Sequence, residues 1–296
     1  MRDQADSLRL RMQATAEKVP RTSRKLLRAH TIAVTSGKGG VGKTNFTLNF
    51  SMQLAKSGYQ TVVFDADFGF ANMDVLMDMT PRRTLYDLLQ PGVTVYDVME
   101  RGPNGLYCVP GRSGVQEWMD LTPEQGEYLV AQLKELQDFA DFIIVDTGAG
   151  LTKESLSLIL AADETILVTT PEPTAITDGY AVIKYLFTQR DSLKLWTVIN
   201  RAANRREGER TGQKMCFAVK QFLHRDVQLL GYLPDHVDVV RAVKRQRPFS
   251  ECFPNSPVTR RLELMTKRYL AEFSEKGDEG NQGFMRYLLN AIRRRT

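Results

Sequence analysis

Cysteine is scarce in this chain. Only Cys108, Cys216 and Cys252 occur, far apart and without a C-x-x-C pair. Neither a disulfide framework nor a thiolate metal centre is encoded, and reduced thiols of a cytosolic protein are expected. Histidine is equally sparse. His30, His224 and His236 are too scattered to suggest metal ligation. No run of apolar residues approaches the ~20 needed to cross a bilayer, and the first stretch is charged where a signal peptide would be apolar. A soluble cytoplasmic protein is expected, with peripheral membrane contact left open. There is no internal repeat, and the last eleven residues contain no acid.

What is present is a large apolar fraction, 42% of 296 residues, enough for a sizeable core. The net charge of +5 is unevenly spread. Residues 1–28 carry eight basic and three acidic groups, and residues 286–296 carry four arginines, leaving the intervening residues at −4. Basic ends suit a polyanion: an anionic bilayer, a nucleic acid or an acidic partner.

Short apolar runs alternate with amphipathic segments. The runs fall at 31–36, 61–65, 106–110, 142–146, 164–170, 193–200 and 227–233. With few polar interruptions, they predict strands buried on both faces. Helical periodicity covers 43–57, 123–139, 152–161, 175–189, 209–225 and 257–275. The alternation predicts an α/β fold, a doubly wound and mostly parallel sheet with helices on both faces. The expected organisation is a basic segment 1–28, a nucleotide-binding domain 29–276, and a glycine-rich linker with an amphipathic helix at 277–296.

The stretch SGKGGVGKTN, residues 36–45, contains Gly37, Gly42, Lys43 and Thr44 in the pattern G-x-x-x-x-G-K-[ST]. It follows a strand and opens a helix, the context in which such a loop cradles phosphates. Glycines let backbone N–H groups converge on phosphate oxygens, and the helix N-terminus adds a favourable dipole. Lys43 is expected to bridge the terminal phosphates and Thr44 to ligate Mg²⁺. Two further strands end in acids. Asp65 and Asp67 close one, where both can face the crevice in which α/β folds bind ligands, and Asp146 closes the other.

The whole loop, KGGVGKT, resembles the deviant Walker A motif of the MinD/ParA ATPases. The resemblance spans residues 31 to about 275 and implies a P-loop NTPase that hydrolyses ATP with Mg²⁺. It implies that Gly37, Lys38, Gly39, Gly40, Val41, Gly42, Lys43, Thr44 and Asn45 bind ATP. Asn45 stands where many relatives have Thr or Ser. Lys38 would reach the phosphates of a partner subunit in an ATP-dependent homodimer. A lysine supplied in trans neutralises charge only in the dimer. Asp67 would orient the attacking water, Asp65 and Asp146 would serve the metal, and Gly148 to Gly150 would form a switch. The same resemblance assigns Asn200, Pro234 and Asp235 to the adenine side and Asp163 to holding the signature lysine. For Asp163 a helix cap or a solvated loop position is the alternative, ranked just behind.

Both ends add to the resemblance. Along 283–296, Phe284, Met285, Tyr287, Leu288 and Ile292 share an apolar face opposite Arg286, Arg293 and Arg294. Such a helix suits a membrane interface. It is similar to the membrane-targeting helix of the family, which implies anionic lipids as partners and reversible residence on the inner face of the cell membrane. Asp3, Gln4, Ala5, Leu8 and Arg9 match the D-Q-A-x-x-L-R motif of the FlhG branch, the flagellar-number regulators, where the motif stimulates an FlhF-type GTPase. Flagellar C-ring components are implied as further partners. A DNA-partitioning ATPase of the ParA kind and a division-site ATPase of the MinD kind are alternatives. DNA is the weaker, because phosphates need no phenylalanine or leucine face. A metal-cluster carrier lacks the paired cysteines, and a tyrosine kinase lacks a terminal tyrosine cluster.

Overall fold

The structure, a computed structural model, describes residues 28–67, 73–111 and 122–276. Eight strands among these form one sheet: β1 (His30–Thr35), β2 (Thr61–Ala66), β3 (Glu100–Arg101), β4 (Tyr107–Val109), β5 (Phe142–Thr147), β6 (Glu164–Thr169), β7 (Lys194–Ala202) and β8 (Gln228–Pro234). Their order is β3-β4-β2-β5-β1-β6-β7-β8. Every neighbouring pair is parallel except β3–β4. All seven apolar runs are strands, as their composition requires when both faces are covered. The two-residue edge strand β3 has no such run. It exists through antiparallel pairing with β4, which residue pattern alone does not reveal.

The helices are α1 (Lys43–Lys56), α2 (Met73–Leu76), α3 (Val95–Val98), α4 (Pro123–Phe139), α5 (Lys153–Ala161), α6 (Pro173–Gln189), α7 (Arg205–Leu223), α8 (Val237–Lys244), α9 (Phe249–Cys252) and α10 (Pro257–Lys276). Alternation along β1 and β5 divides the core. Ile32, Val34, Phe142 and Ile144 meet Phe46, Phe50 and Leu54 of α1 and Leu262, Met265 and Tyr269 of α10. On the opposite face, Ile143 and Val145 meet Leu129, Leu133 and Leu136 of α4, while Ala33 and Leu167 meet α5, α6 and α7. α4 starts at Thr122, whose hydroxyl accepts from Gln125 N–H, with Gln125 returning the bond: a capping box.

At the amino ends of the strands, aromatic rings cluster around Phe142, which touches His30, Tyr59, Tyr269 and Phe273 at centroid distances of 5.0–6.4 Å. Beside it the buried Glu164 accepts from Trp196 Nε1 and Tyr269 OH, both at 3.0 Å. Burial alone would raise the Glu164 carboxyl. The His30 ring and the two donors outweigh it and hold the carboxyl below its usual value.

Asp163 belongs to this end, which corrects the expectation that it holds the loop lysine. Its carboxylate accepts from Arg28 at 3.0 Å and from Thr31 N–H at 2.8 Å. It precedes β6, and the loop lies past the other end of β1, so six strand residues, ~20 Å of backbone, separate them. The segment 1–27 and the helix expected over 283–296, with Phe284, Met285, Tyr287, Leu288 and Ile292, lie outside the described residues.

Phe142→Ala removes the hub of the aromatic cluster. The expected loss is about 3–5 kcal/mol, read as a lower urea midpoint. A variant as stable as the parent would mean that the cluster contributes little.

Candidate functional site: a phosphate loop over paired carboxylates

β1 delivers the chain to the loop, and α1 carries it away. Gly40 and Gly42 have φ of 80° and 87°, the left-handed region that glycine adopts without strain. Space also demands glycine here. A Cβ on Gly37 would lie 2.4 Å from the Asp178 backbone, and one on Gly42 would lie 2.4 Å from Asn200 Nδ2. Gly42 has no side chain to cap α1, so the first-turn N–H groups at Lys43 and Thr44 are available to an anion. Asn200 is brought to the loop, donating from Nδ2 to Val41 O at 2.7 Å. Pro234 ends β8, and Asp235 N–H bonds Ala202 O at 2.9 Å, which places both beside the end of β7. Asn45 O accepts from Asn49 Nδ2 at 2.8 Å.

Behind the loop lie two carboxylates. Asp65 and Asp146 are register partners on β2 and β5. Both lie on the face that packs α1, as Val63 and Ile144 do two residues earlier. Lys43 is buried and donates to Asp146 Oδ1 at 2.9 Å; Thr47, one turn on, donates to the same oxygen at 2.7 Å. Among the described residues no donor reaches the buried Asp146 Oδ2. Asp65 accepts from the N–H groups of Asp67 and Met73 at 3.2 and 3.3 Å. Burial, reinforced by the Asp146 charge, nevertheless pushes its carboxyl up to about 7.

Gly111 packs against Asp65, since a Cβ there would meet Asp65 O at 2.6 Å. Gly148 faces Asp67, whose Oδ1 would be 3.4 Å from an added Cβ. Gly150, at φ 77°, donates to Ser36 O at 2.9 Å and so ties this second loop to the first.

These observations fit a magnesium ion. An orphaned carboxylate oxygen and a second carboxyl pushed up by burial and by its neighbour's charge are both relieved by a dication. Thr44, Asp65 and Asp146 are the residues that would hold it. Bound there, Mg²⁺ would offset phosphate charge during phosphoryl transfer.

Lys38 is different in kind. It is half exposed at the rim, 3.6 Å from Glu172 Oε2 and within hydrogen-bond reach of Thr174 Oγ1 at 3.3 Å. Glu172 and Thr174 at the start of α6, and Thr47, are functional neighbours that the sequence reading missed. Thr47 was detectable, because position i+4 from Lys43 shares its helical face. Glu172 carries no comparable signal.

The CobQ/CobB/MinD/ParA nucleotide-binding domain matches residues 32–249. Over 225 residues the chain is 40% identical to the antiactivator FleN of Pseudomonas aeruginosa, covering 76% of this chain and 80% of that protein. It is 30% identical to the flagellum site-determining protein YlxH of Helicobacter pylori, covering 88% and 90%. The cell division ATPase MinD of Pyrococcus furiosus superposes with a TM-score of 0.69 at 25% identity, covering 83% of this chain and all of that one. MinD of Pyrococcus horikoshii, solved with Mg-ADP, gives 0.68 at 25% identity over 82% and 97%.

Asp65 predicts a pH dependence in protein free of metal and nucleotide. Its folded value of about 7 lies above the ordinary 3.8, so folding retains a proton. The stabilisation is full below about pH 4 and is lost as pH rises through 7. The total loss is on the order of 4 kcal/mol. In urea titrations at pH 5 and pH 8, Asp65→Asn should lose less stability than the parent. Equal losses would contradict the assignment.

Phosphate loop, paired strand-end acids, fold and relatives agree: the chain belongs to the CobQ/CobB/MinD/ParA nucleotide-binding family, as a MinD/ParA-type ATPase on the branch of FleN and YlxH.

Proposed function

We propose that the chain is an ATP-driven switch that regulates flagellar number and placement, and that it dimerises and binds the membrane in its ATP state. The observation that carries the reading is the contrast between the two lysines of one loop. Lys43 is buried on Asp146, whereas Lys38 stands at the rim with an exposed glutamate as its ion-pair partner. An exposed pair of this sort contributes little stability, so Lys38 leaves Glu172 at small cost. The phosphates of a second subunit are a stronger partner, because closing two subunits excludes water from the contact.

In this reading two protomers enclose two ATP molecules. Each Lys43 leaves Asp146 for the terminal phosphates, and each Lys38 reaches across. Asp67 accepts a hydrogen bond from the attacking water and aligns it with the γ-phosphorus, while Gly148 leaves room beside its carboxylate. Asn200, Pro234 and Asp235 flank the base. Hydrolysis weakens the contact, so pairing lasts as long as the triphosphate.

The apolar face of 283–296 supplies the membrane contact. No described helix is long and apolar enough to cross a bilayer. One short amphipathic helix binds marginally, and two joined in a dimer bind far better through effective concentration. The Asp3, Gln4, Ala5, Leu8 and Arg9 motif would stimulate the GTPase of an FlhF-type partner. The flagellar assignment draws on similarity to FleN and YlxH.

Lys38→Ala should stay monomeric with ATP in light scattering and hydrolyse at least tenfold more slowly, the scale of one lost charge contact in a transition state. Normal pairing and normal turnover together would overturn the switch. In liposome co-sedimentation, ATP should raise binding over ADP, Asp67→Ala should hold the bound state, and a chain ending at residue 282 should stay in solution. Equal binding with ADP and ATP would remove the nucleotide control.

A further inference from the structure

The helix α8 (Val237–Lys244) turns its apolar residues outward. A surface helix ordinarily buries such residues and gives polar ones to water. Here Ala242 is buried and Val239 packs on the core, yet Val237, Val240 and Val243 are 54%, 55% and 38% exposed. At about 100° per residue, these three valines with Arg241 and Lys244 span an outer arc of roughly 160°. That arc holds no acid. Asp238, the helix's one carboxylate, is turned aside, 3.2 Å from His236 Nδ1 and 3.4 Å from Arg241 Nη1.

Charge adds to the contrast. Residues 237–247 hold four basic groups, Arg241, Lys244, Arg245 and Arg247, and one acid, within a body (residues 29–285) that sums to −4. The patch is also fixed in place. Ahead of the helix, Asp235 N–H is bonded to Ala202 O. Behind it, Ser250 N–H donates to the buried Asn49 Oδ1 at 2.9 Å, and Asn49 Nδ2 donates to Asn45 O in α1. Elements of the nucleotide site therefore hold both of its ends. A surface held this way has little ordering left to lose when something binds.

The chemistry of the patch selects its partner. Nucleic-acid phosphates would use the cations and leave three valines without contact. A bilayer interface favours Trp, Phe and Leu, and this arc offers only short β-branched side chains. We propose that α8 is a docking surface for an acidic, aliphatic segment of another protein. The segment is a helix whose apolar stripe covers Val237, Val240 and Val243, while its flanking Asp or Glu side chains pair with Arg241 and Lys244. Aliphatic burial supplies affinity, and the charges set register and on-rate. The proposal is independent of the membrane and dimer readings above, since every residue it uses belongs to the folded body.

The test puts the photo-crosslinker p-benzoylphenylalanine in place of Val240 in the full chain, in its native cells, and maps the crosslinked peptide by mass spectrometry. The expected product is a segment of a different protein, rich in Asp or Glu and in Leu, Ile or Val. Made as a fluorescent peptide, that segment should bind the purified full chain. Arg241→Glu with Lys244→Glu should weaken the binding at least about tenfold, and Val237→Ser with Val240→Ser by a similar factor. Exchanging the peptide's acids for Lys should restore binding to the charge-reversed variant. Both double variants should keep the parent's urea midpoint, because only exposed side chains change. A crosslink to nucleic acid, to lipid, to a second copy of this chain or to a segment without acids would overturn the proposal. So would no crosslink beyond that of the same probe at the exposed Gln189, or equal peptide binding by the parent and the charge-reversed variant.

Discussion

Lys43 and Asp146 form an ion pair at 2.9 Å with almost no exposure of either side chain. Taking both charges out of water is costly, and a single partner left behind would be costlier still. The pair persists because Thr47 adds a second donor to the same oxygen. It also anchors the phosphate loop to the centre of the sheet, since β5 pairs directly with β1. The terminal phosphates of ATP are the natural replacement for Asp146 as the lysine's partner. In the proposed switch, that exchange would free the carboxylate for a cation. The orphaned Asp146 Oδ2 and the raised Asp65 carboxyl are both features that a bound cation would relieve.

The molecule therefore has two poles with different physics. At the carboxyl ends of the strands lie the loop glycines, two adjacent buried carboxylates and a half-exposed lysine. At the amino ends, Trp196 and Tyr269 donate to Glu164 and Arg28 donates to Asp163, around an aromatic cluster that includes His30. That cluster also gathers the entry and the exit of the folded body. The Tyr269 phenol is pushed well above its usual value by burial and by Glu164, so it stays a donor throughout the physiological range. The central strands between the poles, β1, β2, β5 and β6, are buried along their whole length.

Much of this was legible in residue order. The seven apolar runs became seven strands because a parallel sheet covered on both faces leaves few polar positions to mislead the eye. The G-x-x-x-x-G-K-[ST] pattern was legible because loop conformation and helix start are local. Asp65 and Asp146 were legible as strand-end acids. The placement of Asp163 was not. Its neighbours Arg28 and Thr31 are more than 130 residues away in sequence, and only strand pairing brings them together. Glu172 escaped for the same reason. Its distance to Lys38 depends on how α6 packs against the loop at Gly37.

Sequence alone determined the phosphate chemistry, the parallel sheet and the basic character of both ends, because each is written in short contiguous patterns. Tertiary structure decided which acid holds which cation. It also decided that the first and last described residues, 28 and 276, lie at one pole, away from the nucleotide loop. Those outcomes depend on strand order in the sheet, β5 beside β1 and α10 folded back across it, and strand order is set by packing among residues that are distant along the chain.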